Sequence, residues 1–199
     1  MIDYLIQDCG ADVNIILKNH KTPLIKAIEQ NNIKMIELLM NYGANINFTS
    51  DYYSALNYAI DQRMEDIVHY LVKKGTDIYK RSNYYTPLMN AIKINHHSIT
   101  KFLIDQINKN FIEITPLIYT IRCHNRNFVK YLIKKCNIDV NEIVNNSTPL
   151  MTAIFINKII AVKHLVEAGA DINKINNGHM ILNKWPHDES IIAYAINKK

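Results

Sequence analysis

The sequence predicts an all-α fold, a solenoid of stacked helix–turn–helix units with projecting turns. Three observations carry this. First, a Thr-Pro-Leu phrase recurs at Thr22-Pro23-Leu24, Thr86-Pro87-Leu88, Thr115-Pro116-Leu117 and Thr148-Pro149-Leu150. A degenerate copy stands at Ser54-Ala55-Leu56, so successive first positions are 32, 32, 29 and 33 residues apart. Second, each copy is followed by small, apolar and turn-forming residues at constant offsets. Third, glycine and proline number only five each, too few for the many tight turns of a strand-rich fold. A unit of about 33 residues cannot bury its own apolar face, so the units have to stack.

The elements follow in chain order. Met1 to Asn14 supply only the second helix and closing loop of a partial first repeat. In each later unit the Thr or Ser caps the first helix. The proline behind it occupies the first turn, where its missing N–H costs no hydrogen bond. Five residues on stand Ala27, Ala59, Ala91, Thr120 and Ala153, each followed by Ile, small enough for close helix packing. Asn31, Asn95 and Asn157 tolerate a left-handed backbone and turn the chain, with Arg63 and His124 at the same offset. The second helix carries apolar residues every three to four positions, among them Met35-Ile36 with Leu39-Met40, and Phe128-Val129 with Leu132-Ile133. Gly43, Gly75 and Gly169, each 21 residues after their Thr or Ser, end it.

This pattern resembles the ankyrin repeat, with Thr-Pro-Leu-x-x-Ala opening the first helix and Gly169-Ala170-Asp171-Ile172-Asn173 closing a unit. The closing phrase recurs as Gly10-Ala11-Asp12-Val13-Asn14 and Gly43-Ala44-Asn45-Ile46-Asn47. The resemblance covers nearly the whole chain. It implies a single domain over 1–199: a partial repeat 1–14, repeats 18–47, 50–79, 82–110, 111–141 and 144–173, and a degenerate C-terminal capping unit 174–199. Ile25, Asn57, Met89, Ile118 and Met151 stand where the family usually has histidine, so the inter-repeat hydrogen bonding of that histidine is not expected here.

Composition sets further bounds. Lys+Arg 23 against Asp+Glu 18 gives a net charge of +5, with 48% apolar and 21% charged residues, the balance of a folded chain rather than a disordered one. The 34 isoleucines and 25 asparagines have AT-rich codons and read first as a genome bias. Three cysteines, Cys9, Cys123 and Cys136, without a CxxC argue against a disulfide framework or a Cys-rich zinc site and for a reducing compartment. Asp3, Asp8 and Asp12 interrupt the first apolar stretch and spoil a signal peptide. No run approaches the roughly 18 apolar residues of a membrane span.

Three irregularities stand out. The usual polar N-terminal cap is absent, as in a shortened remnant or an end that docks on another surface. The loop Asp105 to Ile114 lacks the closing phrase. The last unit is broken by Trp185-Pro186, and Asp188 to Asn197 can form a short capping helix with Ile191, Ile192 and Ile196 inward. Trp-Pro followed by an acid and Ile-Ile faintly resembles the start of the F-box-like segment of poxviral ankyrin proteins, although the sequence ends too soon to hold that domain.

No motif for chemistry emerges. There is no Gly-rich phosphate loop, GxSxG or HExxH. His96-His97 would point about 100° apart on a helix, and Cys123-His124 lacks nucleophile–base geometry and a third orienting group. No catalytic, cofactor or metal site is expected, and the chain is not expected to be an enzyme. Charge is uneven: residues 1–79 carry 7 basic and 10 acidic residues, residues 80–135 carry 10 and 2. The basic stretch could attract an acidic protein surface or nucleic acid, or be a solvated outer face. Aromatic residues do not interleave with it as in a nucleic-acid module.

In ankyrin proteins partners bind the projecting turns and the exposed ends of the first helices. Carried over here, these positions are Tyr52, Tyr53, Tyr84 and Tyr85 in the turns, and Asp61, Gln62, Lys93, Ile94, Arg122, Phe155 and Ile156 at helix ends. The Tyr pairs recur one repeat apart; either they project as binding residues, for which tyrosine is suited, or one of each pair packs under its turn. Phe155-Ile156 either extends the groove or is covered by the last unit. The expected function is a non-enzymatic protein-interaction module, possessing a concave groove for a protein partner, host-directed if the source is poxvirus-like. The alternatives are a substrate-recruiting fragment of a ubiquitin-ligase adaptor and nucleic-acid or acidic-surface binding through residues 80–135. A monomer in the cytoplasm is expected, away from membranes, with self-association through the uncapped end and the nucleus also open.

Overall fold

Capping chemistry decides where the helices begin. The computed structural model describes residues 2–50, 52–107, 115–136 and 138–172. Eleven α-helices and no β-strand occur among them. The chain divides into two units, Met1–Asp105 and Gln106–Lys199.

Unit 1 contains α1 (Ile2–Gln7), α2 (Pro23–Glu29), α3 (Ile33–Asn41), α4 (Ala55–Asp61), α5 (Glu65–Lys73), α6 (Pro87–Lys93) and α7, which begins at His97 and ends at Gln106. Thr22, Ser54 and Thr86 cap α2, α4 and α6, each side chain accepting from the backbone N–H three residues on. That satisfies one of the donors a helix start leaves open. Asn31, Arg63 and Asn95 take left-handed φ of 52°, 59° and 58°, and reverse the chain into the second helix. Gly43 and Gly75, at φ +84° and +86°, end α3 and α5. A residue with a Cβ would be strained there.

The first helices stack, α2 on α4 and α4 on α6. Ala27, Ala59 and Ala91 lie buried in that stack, where the absence of a longer side chain lets helix backbones approach. The second helices contribute Ile36, Ile67, Leu71, Ile99 and Leu103, all fully buried. Thr100 is also buried, and its Oγ1 has no hydrogen-bond partner among the described residues.

Unit 2 repeats the plan with α8 (Pro116–Arg122), α9 (Arg126–Lys135), α10 (Pro149–Phe155) and α11 (Ile159–Glu167). Thr115 and Thr148 cap α8 and α10. His124 and Asn157 take the left-handed turn at φ 62° and 57°, and Gly169 ends α11 at φ +86°. Here α8 packs on α10 and α9 on α11, around Leu117, Phe128, Leu132, Leu150, Ala153 and Leu165.

The closing phrases join successive repeats through asparagine. Asn14 Oδ1 accepts from the Asn45 N–H at 2.8 Å, and its amide donates to the Gly43 carbonyl at 3.2 Å. Asn47 Oδ1 accepts from the Asp77 N–H at 2.8 Å. In unit 2, Asn141 accepts from Asp171 N–H at 2.7 Å and donates to the Gly169 carbonyl at 3.2 Å. The loss of inter-repeat hydrogen bonding expected from the missing histidines is only partial. Asn57, at one of those positions, donates from Nδ2 to the Tyr85 carbonyl of the next repeat at 3.3 Å. The shortened loop lies largely, and the capping helix at Asp188 to Asn197 wholly, outside the described residues.

Candidate protein-docking surface

The projecting turns are short two-residue reversals. Ser82 pairs with Tyr85, and Val144 with Ser147, as isolated antiparallel bridges. Both central residues have positive φ, Asn83 at 50° and Tyr84 at 70° in one turn, Asn145 at 52° and Asn146 at 57° in the other. This is the backbone of a type I′ turn, which favours Asn or Gly because few side chains tolerate it. A longer turn joins Thr49 to Ser54, with Ser50 N–H donating to the Tyr53 carbonyl at 3.0 Å.

Within unit 1 the turns form a row. Ser82 Oγ donates to the Tyr52 carbonyl at 3.2 Å, bridging two of them. Tyr84 is 85% exposed and Tyr52 is 52% exposed. The Tyr52 ring lies 5.0 Å from that of His20, which holds a left-handed φ of 60° in the preceding turn. Tyr53 and Tyr85 are half-buried. Tyr53 meets Tyr58 edge-on at 5.6 Å, and Lys93 Nζ sits 4.2 Å from the Tyr85 ring centroid, a favourable cation–π placement. One member of each pair therefore projects while the other packs at the base of its turn.

The helix ends beneath carry charge. Lys21 Nζ donates to Glu29 Oε1 at 2.9 Å and to the Tyr58 hydroxyl at 3.2 Å, and Lys26 Nζ reaches Glu29 Oε2 at 2.6 Å. The hydrogen bond from Lys26, and then that from Lys21, lower the Glu29 carboxyl from its ordinary 4.5 to about 2. The bond to Glu29 raises Lys21 against the opposing effect of burial. Asp61 is exposed but accepts from Asn90 Nδ2 at 2.9 Å, and Gln62 beside it is exposed. Ile94 is half-buried, its carbonyl accepting from Arg63 Nη2 at 2.6 Å. Sequence reasoning singled out neither Lys21, Tyr58 nor Asn90; their only signal is a constant offset from the capping Thr or Ser.

In unit 2, Arg122 is exposed while Phe155 and Ile156 are half-buried. Ser147 Oγ lies 3.1 Å from Thr152 Oγ1. Cys123 is exposed, and His124 Nδ1 lies 2.7 Å from the Arg122 carbonyl oxygen.

Stacked helical pairs, left-handed inter-helix turns and an asparagine ladder define the unit, and family models find the same unit. A model described as ankyrin repeats (3 copies) matches residues 1–82 and 77–143, and an ankyrin repeat model matches 145–177. The chain belongs to the ankyrin-repeat family. This ankyrin chain is 41% identical over 44 residues to the B-cell lymphoma 3 protein homolog of Mus musculus, covering 22% of this chain and 10% of that protein. It is 43% identical over 56 residues to the ankyrin repeat protein FPV018 of fowlpox virus (strain NVSL), 28% of this chain and 8% of that one. The matched stretches are thus a tenth or less of both relatives.

Solved structures share the fold. The ankyrin repeat domain of Bcl-3, described as a unique member of the IkappaB protein family, aligns with a TM-score of 0.71 at 22% identity, over 88% of this chain and 82% of that one. The human ASB11 ankyrin repeat domain aligns at 0.64 and 20% identity, over 96% and 89%. Ankyrin-repeat domains are in general non-enzymatic protein-interaction scaffolds. No helix among the described residues is long and apolar enough to cross a membrane.

Proposed function

We propose that this ankyrin chain captures a protein partner through its projecting turns and the first-helix ends beneath them. The observation that carries the reading is Tyr84. A large ring held 85% exposed at the tip of a turn, at a left-handed backbone position that few side chains adopt, presents its face outward, where an aromatic can serve as a binding hot spot. Tyr52 offers a second ring in the neighbouring turn. Asp61, Gln62 and Lys93 would set the polar rim, and Arg122, Phe155 and Ile156 the corresponding positions of unit 2. Because regular secondary structure holds the turns in place, docking needs little further ordering of this chain. We place its action in the cytoplasm as a monomer, and read it as host-directed because of the stretch shared with a protein of fowlpox virus.

The test is partner capture from lysate, followed by affinity measurement with the Tyr52→Asn/Tyr84→Asn double variant. Asparagine suits the left-handed position, so melting and helical circular dichroism should not change. The dissociation constant should rise at least about tenfold, as for loss of aromatic hot spots. Unchanged affinity would remove these turns from the docking surface.

A further inference from the structure

The corner where α4–α5 meets α6–α7 in unit 1 and the one where α8–α9 meets α10–α11 in unit 2 are built differently. In unit 1, Glu65 opens α5, 11 residues after its capping Ser54. Its Oε2 accepts from Ser98 Oγ of the next repeat at 3.0 Å, and its Oε1 lies 3.6 Å from His96 Nε2. A carboxylate thus closes the corner. In unit 2 the residue at the same register, 11 after Thr115, is Arg126. The positions of His96 and Ser98, 10 and 12 after Thr86, are held by Lys158 and Ile160, 10 and 12 after Thr148. An acid has become a cation, its histidine partner a second cation, and its serine an isoleucine.

Among the described residues of unit 2, no acidic side chain compensates. Neither Arg126 nor Lys158 is ion-paired with a described residue. Lys158 also stands at the N-cap of α11 without a side-chain bond to the first turn, where an anion rather than a cation is favoured. The corner opens into a cleft of roughly 390 Å³, and no acidic residue lines it. Val129 and Ala161 are buried at its floor, and Ile160 and the 74% exposed Ile159 stand at its edge.

We propose that this corner of α8–α9 and α10–α11 docks an acidic segment of a partner protein. One carboxylate of the segment lies between Arg126 and Lys158, supplying the acid that Glu65 provides in unit 1. An adjacent aliphatic side chain covers Ile159 and Ile160. Guanidinium–carboxylate bonding is charge-assisted and directional, and the isoleucines add a contact that a bare anion cannot use. Besides His124 and Arg126 the lining offers no flat platform of Phe, Tyr or Trp for successive bases, and Ile159 and Ile160 suit an aliphatic side chain rather than a phosphate backbone, so a peptide fits better than a nucleic acid. The corner sits at the opposite end of α10 from the turn at 144–147, about 10 Å away by helix rise, so it does not depend on the tyrosine turns.

The experiment titrates the isotopically labelled full chain with a synthetic Glu-Glu-Leu-Glu-Leu peptide and follows amide chemical shifts. Saturable shifts confined to residues 121–129 and 157–161 are expected. They should be lost with the Gln-for-Glu peptide, and Arg126→Gln/Lys158→Gln should weaken binding at least about tenfold, as truncating charged partners does. Both side chains point to solvent or are half-exposed, so melting should stay unchanged in that variant. Absence of saturable shifts, binding undiminished in the variant, or tighter binding of oligothymidylate to the same amides would each overturn the proposal.

Discussion

Corresponding positions in the two units do different work. In unit 1, Asn90 of α6 reaches back one repeat, donating to the Asn57 carbonyl at 3.3 Å and to Asp61 Oδ1 at 2.9 Å. In unit 2 the same register position is Thr152, whose hydroxyl turns to Ser147 of its own repeat at 3.1 Å. The corner contrast runs the same way, with Glu65 engaged in unit 1 and Arg126 without a described ion-pair partner in unit 2. At these positions polar side chains stitch successive repeats of unit 1 together, whereas the matching side chains of unit 2 make no cross-repeat bond among the described residues, and there the Asn141 clasp and the apolar core hold the repeats. Repeat identity at the level of helices therefore leaves the cohesion between repeats free to vary.

The contrast breaks most sharply at a core ring. Phe128 is fully buried in unit 2, and Phe128→Ala should cost about 3–5 kcal/mol by leaving a cavity. Denaturant unfolding would show the loss as a lower midpoint, and a loss below about 1 kcal/mol would mean that packing does not carry unit 2. A smaller effect separates the polar positions. Asn90→Ala removes two cross-repeat bonds from a buried site and should cost about 1–3 kcal/mol, whereas Thr152→Val should stay near or below about 1 kcal/mol. Equal costs would erase the distinction.

Much of this fold was legible in the sequence because its causes are local. A cap, a proline, a small residue and a left-handed turn each need one residue type at one offset, so Thr22, Pro23, Ala27 and Asn31 announce their roles. The missing histidine was legible too, but its replacement was not. Asn57 substitutes by reaching across to the next turn, a contact that depends on the stacking distance. The tyrosine pairs were visible, yet which member projects depends on turn handedness. Asn83 before Tyr84 carries that signal, since a type I′ turn places both at positive φ. The charge reversal at the corner required register alignment plus knowledge that Glu65 meets His96 and Ser98.

The smallest effect concerns the Lys21–Glu29–Lys26 cluster of unit 1. The Glu29 carboxyl is depressed from 4.5 to about 2, so the folded state binds its proton less readily than the unfolded one. Its contribution is complete above about pH 4.5 and disappears as pH falls towards about 2. Carboxyl-detected NMR titration should place the Glu29 midpoint near the lower figure, and Lys26→Ala should move it upward. A midpoint that ignores Lys26→Ala would show that the ion pair does not persist in solution, as exposed pairs often do not.

The asparagine ladder carries a genetic consequence. Asn14, Asn47 and Asn141 each grip backbone one repeat ahead, and backbone is the same whatever the sequence. A duplication or deletion of one whole period whose seam follows one of these asparagines would rejoin its neighbours through the same clasp, whereas a seam after Tyr79, at the same register, would not. At such a seam array length can change in a single mutational step without a matching change in the clasp itself.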